Sequence, residues 1–125
     1  MVTFNKGAGG RAKPCEIDGI RFASQAEGRR YLVLRALERT KNIKNLICHP
    51  KYDFDINGTI LRDQSTNRKI TYSADFEYLD MGTGLQVVED VKGFKKGKPI
   101  QTPEYRIKKA LMWAVNHIKV IEVNA

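Results

Sequence analysis

Hydrophobic and polar positions alternate most regularly over Lys69–Leu79. Apolar or aromatic residues occupy every second position from Ile70 to Tyr78, and polar or acidic residues lie between them. Successive side chains of a strand point to opposite faces, so this pattern predicts a β-strand with one buried face. A second strand is predicted over Leu85–Lys92, after a turn at Gly82–Gly84.

Helical periodicity predicts two helices, each with a recognisable first residue. Ser24 followed by Glu27 forms the capping-box pattern and starts a helix that we expect to end near Thr40. Thr102 caps the second helix, which is predicted to end near Val115, and a proline follows this cap. The two helices divide the chain into segments that otherwise have strand or turn character.

The remaining segments predict hairpins and further strands. Asp18-Gly19 and Asn57-Gly58 are typical of type I′ hairpin turns. Leu46–Ile56 is predicted as a strand and Gly93–Pro99 as a loop. The last strand is predicted over His117–Val123, and it can lie parallel to an earlier strand because a helix precedes it. The predicted order, hairpin-α-βββ-α-β, indicates an α/β fold: a mixed sheet with two flanking helices.

The length of 125 residues is typical of one domain. Residues 1–14 are rich in glycine and basic side chains and predict a flexible basic N-terminal arm, which leaves a single domain over 15–125. No stretch approaches the roughly 20 apolar residues that a membrane-spanning helix needs. Met1–Lys13 lacks the apolar segment of a secretory signal. We therefore expect a cytoplasmic protein with no membrane partner.

The net charge of +8 favours binding to polyanions, because each contact with a phosphate releases counterions. Charge alone leaves nucleic-acid binding and the absence of any specific ligand equally open. The cysteines and histidines, Cys15, Cys48, His49 and His117, lack the spacing of a zinc site. They are interpreted as packing or surface residues.

A more specific pattern of acids and a lysine lies on the two predicted central strands. Alternation places Asp90 and Lys92 on one face of their strand and Glu89 on the other. If the two strands pair as a hairpin, Asp75 comes near Asp90. Two such carboxylates suit Mg²⁺, and a nearby lysine can orient an attacking water and stabilise charge on a phosphate. The alternative, two surface strands with solvated charges, stays open on spacing alone.

Longer stretches of sequence around these residues resemble a known family. The stretches are YSADF at 72–76, VVEDVKG at 87–93, TPEYRIKK at 102–109 and GIRFAS with the following helix start at 19–31. In this order they resemble a family of small phage-encoded PD-(D/E)xK nucleases. The resemblance extends over 17–123, and within the superfamily it is similar to Holliday-junction resolvases and to the nuclease subunit of some transposases.

The resemblance implies a restriction-endonuclease-like fold and a role for each motif residue. Asp75 and Asp90 would be metal ligands, Val91 would offer its backbone carbonyl to the metal, and Lys92 would be the motif lysine. Ala74 departs from the pattern, because the superfamily often has proline before the first acid. Proline varies widely at that position, so the departure changes little.

Glu27 has two interpretations. The capping box with Ser24 explains this residue without any catalytic role. The resemblance implies instead that a glutamate of the first helix is an additional catalytic metal ligand. Both interpretations stay open on the sequence.

The resemblance implies a magnesium-dependent DNA endonuclease, with manganese as a substitute, that hydrolyses phosphodiester bonds to leave a 5′ phosphate. Its expected partners are branched DNA, such as Holliday junctions in phage recombination or replication, or duplex DNA, and a second copy in a homodimer in the host-cell cytoplasm. The alternative is a non-catalytic DNA-binding or recombination-accessory module on the same fold. DNA versus RNA and one versus two metal ions stay open. The candidates for nucleic-acid contacts are the basic residues Arg29, Arg30, Lys95, Lys96, Lys98, Lys108 and Lys109.

Overall fold

The structure is a computed structural model that describes residues 2–4 and 13–125. The elements in chain order are β1 (Val2–Phe4), β2 (Cys15–Ile17), β3 (Ile20–Phe22), α1 (Gln25–Arg39), β4 (Ile43–Cys48), β5 (Lys51–Tyr52), β6 (Asp55–Ile56), β7 (Thr59–Ile60), β8 (Tyr72–Ser73), β9 (Phe76–Asp80), β10 (Gln86–Val91), β11 (Phe94–Lys95), β12 (Lys98–Pro99), α2 (Pro103–Asn116) and β13 (Val120–Val123).

The central sheet has four strands in the order β13-β10-β9-β4. β10 is antiparallel to β9 and parallel to β13, so the sheet is mixed. The parallel pair confirms the prediction that the last strand lies beside an earlier one after a helical crossover. Sequence and structure therefore agree on a mixed α/β fold with two helices.

Alternate side chains of β10 enter two separate hydrophobic clusters. Val87 and Val91 pack against a cluster that includes Tyr31 and Leu34 of α1. Val88 belongs to a cluster that includes Met112 of α2. Since neighbouring residues of a strand point to opposite faces, the two helices cover opposite faces of the sheet. We call these the α1 face and the α2 face.

Both helices begin at the predicted caps. The Ser24 side chain accepts a hydrogen bond from the Glu27 N–H at 3.2 Å. The Thr102 side chain accepts one from the Tyr105 N–H at 3.1 Å, with a proline at the first position of α2. α2 ends at Asn116 and is capped by His117, which adopts the left-handed conformation with φ 57°. The caps satisfy backbone donors that have no partner inside the helix.

The two predicted hairpin turns are confirmed. Asp18-Gly19 and Asn57-Gly58 have positive φ at both positions, as type I′ turns require. The prediction of a loop over Gly93–Pro99 is wrong in part, because β11 and β12 pair around Lys96-Gly97, which also has positive φ at both positions. A lysine before the glycine is a weaker turn signal than asparagine, and the strands on either side are short.

Two strands that the pattern predicts as continuous are interrupted. The segment 46–56 contributes to β4, β5 and β6, with Pro50 between the first two. Proline lacks the N–H that a strand interior would donate to its neighbour. The segment 69–79 divides into β8 and β9 at Ala74–Asp75.

The interruption at Ala74–Asp75 changes which face the aromatic residues occupy. Tyr72 lies in the α2-face cluster, whereas Phe76 and Tyr78 lie in the α1-face cluster. The prediction that all of them share one face is therefore wrong. The chain passes from one side of the sheet to the other at Asp75.

The structure describes only part of the predicted N-terminal arm. Within residues 1–14, Val2–Phe4 pairs antiparallel with β2, while Met1 and residues 5–12 lie outside the described residues. Over the described ranges, no helix has both the length and the apolar character needed to cross a bilayer.

Candidate active site

Asp75 lies where the chain enters β9, and it bonds to β10 through both backbone and side chain. Its N–H donates to the Glu89 carbonyl at 3.0 Å. Its Oδ2 accepts a hydrogen bond from the Val91 N–H at 2.6 Å. The carboxylate therefore serves as an acceptor for the backbone of the central strand, and this bond fixes its position at the strand interruption.

Asp90 and Lys92 extend together from the α2 face of β10. Asp90 is 6% exposed, and its Oδ1 lies 2.8 Å from the Lys92 Nζ. Its Oδ2 accepts a hydrogen bond from the Tyr72 hydroxyl. The Lys92 Nζ also lies 3.8 Å from the ring centroid of Tyr105, so a carboxylate and an aromatic face together hold the ammonium group.

Glu27 approaches Asp75 from the first turn of α1. Its Oε2 accepts a hydrogen bond from the Ser24 hydroxyl at 3.0 Å, which completes the predicted cap. Burial, followed by hydrogen bonding and charge from Glu27 and a smaller contribution from Asp90, raises the pKa of Asp75 well above its usual 3.8. The contacts with Ser24 bear out the interpretation of Glu27 as part of the helix cap, and the same side chain lies near Asp75.

The carboxylate oxygens of Asp75, Glu27 and Asp90 are the candidate ligands for a divalent cation. Among the described residues, no group of at least three histidine, cysteine or acidic side chains lies close enough to hold a metal. Mg²⁺, however, is usually held by one or two carboxylates together with water and substrate phosphate. Asp75 with Glu27 or Asp90 meets that requirement, because each carboxylate oxygen can accept more than one contact. The donor chemistry fits a hard cation.

Glu89, the competing acid, lies on the α1 face and is 2% exposed. Arg30 donates to both of its oxygens, from Nε at 2.8 Å and from Nη2 at 2.6 Å. The Tyr78 hydroxyl donates to the same carboxylate. The prediction that Glu89 points away from Asp90 is confirmed, and its carboxylate is fully engaged in this contact.

Several of the predicted nucleic-acid contacts already have partners within the chain. The paired residues are Arg29 with the Ala125 carbonyl, Arg30 with Glu89, Lys108 with Glu104 and Lys109 with Glu122. Lys95, Lys96 and Lys98 lie on the β11–β12 hairpin and are exposed. Among the predicted contacts, the three hairpin lysines are therefore the ones that make no ion pair or side-chain hydrogen bond with a described residue.

Two tyrosines contact the site, although the sequence assigns no site role to either. The Tyr72 hydroxyl binds Asp90, and the Tyr105 ring contacts the Lys92 ammonium. For Tyr72 a signal exists in its chemistry, because a buried phenol normally requires a polar partner.

The fold and these contacts define a mixed α/β domain with buried acids and a lysine gathered beside its central strand. Over residues 9–122 the chain matches the family described as "Protein of unknown function (DUF1064)". The match covers most of the chain, and the protein belongs to this family. Comparison with curated proteins and with solved structures finds no match.

Proposed function

We propose that the protein is a magnesium-dependent DNA endonuclease of the PD-(D/E)xK type, with Asp75, Asp90 and Lys92 at its active site. One observation carries the proposal: the Asp75 carboxylate bonds to the N–H of Val91, the residue between Asp90 and Lys92. This bond places Asp75 beside the segment Asp90–Lys92, so the three residues of the motif lie together at the C-terminal end of β10. A pair of solvated surface strands gives no reason for such an arrangement.

The order of elements also supports the proposal. The first acid precedes β9, the second acid and the lysine follow on the antiparallel β10, and α2 then leads to the parallel β13. This order agrees with the restriction-endonuclease-like core that the family resemblance implies. The resemblance to phage nucleases extends the proposal to a role in recombination or replication.

The residues have distinct roles in the proposed reaction. Asp75 and Asp90, assisted by Glu27, would hold the cation, and the Tyr72 hydroxyl fixes the orientation of Asp90. Bound magnesium supplies a water of lowered pKa and neutralises phosphate charge. Lys92 orients the attacking water and stabilises charge that develops on the phosphate. In-line attack with loss of the 3′ oxygen gives a 5′ phosphate and a 3′ hydroxyl.

The test is cleavage of linear, nicked, flapped and four-way DNA by purified protein in magnesium, manganese or chelator. We expect metal-dependent cleavage, greatest on branched DNA, which Asp90→Asn and Lys92→Ala abolish. Glu16→Gln, which neutralises an exposed acid on β2, is the matched control and should cleave normally. Activity of Asp90→Asn equal to that of the wild type would overturn the proposal.

A second candidate function is DNA binding without cleavage. The observation that favours it is the exposed hairpin lysines, whose charge is available without any contribution from the acids. This function predicts DNA binding that weakens steeply with salt, together with no cleavage in either metal. Metal-dependent cleavage that requires Lys92 would exclude it.

The expected oligomeric state follows from the proposed substrate. Resolution of a four-way junction requires two symmetric incisions, and a dimer with twofold symmetry places two active sites accordingly. Sedimentation of the protein with and without a four-way junction tests this expectation. A protein that cuts junctions as a monomer would contradict it.

A further inference from the structure

A cavity of about 410 Å³ opens beside Lys92, between β8 and the first turn of α2. Of the proposed metal ligands, Asp90 lines this cavity and Asp75 and Glu27 do not, so the cavity extends from the proposed site on the Asp90 side. Its walls include Lys51, Thr71, Ser73, Lys92, Glu104 and Tyr105.

The acceptors that line this cavity are already engaged. Asp90 is bound by Tyr72 and Lys92, and Glu104 lies 2.8 Å from Lys108. No other acidic side chain lines the cavity. A ligand in this space therefore meets few free acceptors.

Donors that line the cavity remain available. Lys51 is exposed and forms no ion pair with any described residue. Thr71 and Ser73 make no side-chain hydrogen bond within residues 2–4 and 13–125, and Thr102 uses its oxygen only as the acceptor of the helix cap. A surplus of donors over acceptors fits a ligand that is rich in acceptor oxygens.

The first turn of α2 adds one backbone donor at the cavity wall. Pro103 has no N–H, and Thr102 accepts the N–H groups of Tyr105 and Arg106. The N–H of Glu104 is therefore the donor of this turn that remains for an anion.

We propose that this cavity binds one phosphate group of a nucleic acid, next to the phosphate that is cleaved. The proposal rests on the proposed function only for the source of this phosphate. Lys51 and the hydroxyls of Thr71 and Ser73 supply the contacts at its entrance, and the α2 N-terminus supplies the positive end of a helix. Bound in this way, the neighbouring phosphate positions the scissile one against Asp75 and Lys92.

The first experiment titrates inorganic phosphate into the metal-free full-length protein and follows amide NMR signals. We expect saturable shifts around Ser73 and Tyr105, and an affinity about tenfold lower in Lys51→Ala, the loss of one charge-assisted contact. Lys44→Ala removes the same charge from an exposed position on β4 and serves as the matched control. Shifts that do not saturate, or equal weakening in Lys44→Ala, would overturn the proposal.

The second experiment identifies the source of the phosphate. Oligonucleotides carry a neutral methylphosphonate at one position at a time, or a 5′ hydroxyl in place of a 5′ phosphate. Neutralising the bound phosphate should weaken binding to the wild type and leave binding to Lys51→Ala unchanged. If a methylphosphonate at an internal position has this effect on binding, the bound group is a backbone phosphodiester. If only the replacement of the 5′ phosphate has it, the bound group is a terminal phosphate. Lys51→Ala that responds like the wild type everywhere would refute the subsite.

The subsite and the nuclease can fail separately. If Lys51→Ala and Ser73→Ala weaken phosphate binding and no metal supports cleavage, the subsite stands and the nuclease proposal fails. If cleavage requires Asp90 while these variants leave the KM for DNA unchanged, the subsite fails alone.

Discussion

Glu89 and Asp90 are consecutive residues of one strand, yet their carboxylates have opposite surroundings. Glu89 lies under α1, where a bidentate arginine and a tyrosine hydroxyl occupy its oxygens. Asp90 lies under α2, where it contacts a lysine and a tyrosine hydroxyl at the wall of an open cavity. Strand alternation therefore separates an acid enclosed by protein from an acid that a ligand can reach.

The comparison shows that burial alone does not distinguish the two carboxylates. Glu89 is 2% exposed and Asp90 is 6% exposed, and a tyrosine hydroxyl donates to each. The two acids differ in the basic residue that each one contacts. Arg30 makes two hydrogen bonds to Glu89, whereas the Lys92 ammonium makes one ion pair with Asp90 and contacts an aromatic ring. Because an ammonium group has three donors, Lys92 retains hydrogen-bonding capacity for a further contact.

The largest expected effect is on catalysis by Asp90→Asn. We expect the cleavage rate to fall at least about a thousandfold, because a bound metal contributes several kcal/mol to the transition state. The free energy of unfolding should fall by only about 1 kcal/mol, because Lys92 loses a partly exposed ion pair while asparagine still accepts the Tyr72 hydrogen bond. Single-turnover cleavage and urea unfolding measure the two quantities. An active variant, or one that fails to fold, would contradict the contrast with Glu89.

Glu89→Gln should give the reverse result. The free energy of unfolding should fall by about 3 kcal/mol, because Arg30 loses the charge that compensates its own. Cleavage per folded molecule should stay within about twofold of the wild type, since the Glu89 carboxylate is held by Arg30 and Tyr78 and points away from Asp90 and Lys92. Urea unfolding tests the first part. Replacing both Arg30 and Glu89 by leucine should recover part of the lost stability.

The two tyrosines offer a matched pair of smaller changes. Tyr72→Phe should lower the cleavage rate about tenfold, as for loss of a group that orients a metal ligand. Tyr78→Phe should instead lower the free energy of unfolding by about 1–2 kcal/mol, because a hydrogen bond to buried Glu89 is lost. Cleavage rates and unfolding midpoints of both variants are compared side by side. A loss of cleavage in Tyr78→Phe together with a loss of stability alone in Tyr72→Phe would contradict the placement of the site on the α2 face.

The smallest expected effect is a gain in stability. Burial and the nearby Glu27 carboxyl raise the pKa of Asp75, so its charged form is disfavoured in the folded protein. Asp75→Asn should therefore raise the free energy of unfolding by about 1 kcal/mol at neutral pH in chelator, while cleavage is lost. Magnesium should stabilise the wild type and leave the variant unchanged. Thermal unfolding with and without magnesium tests both statements.

Local sequence signals predicted the features that depend on neighbouring residues. The caps at Ser24 and Thr102, the Asp18-Gly19 turn and the opposite faces of Glu89 and Asp90 all follow from spacing within one element. These features depend on backbone geometry that a few consecutive residues determine. The sequence therefore predicted the mixed sheet, its helices and the face of the second acid.

Features that join distant elements were not predictable in this way. The interruption at Asp75 arises because a carboxylate bonds to a backbone N–H of β10, a contact that alternation within its own strand does not show. Arg30 and Glu89 are 59 positions apart, and their pairing depends on how α1 packs on the sheet. The contact of Tyr105 with Lys92 similarly depends on where α2 packs. The residue types can be read from the sequence, but the contacts between them depend on how the helices and strands pack.

The hydrogen bond from the Val91 N–H to Asp75 also makes one amide proton a reporter of the site. Its protection against exchange with solvent requires that the strand before β9, the central strand and the carboxylate have all assembled. The proposed cation would draw Asp75 toward itself and compete with this bond, so its binding could be followed at Val91 without any substrate. Partly unfolded molecules, in which this amide exchanges freely, would lack the arrangement of acids that the proposed cleavage requires.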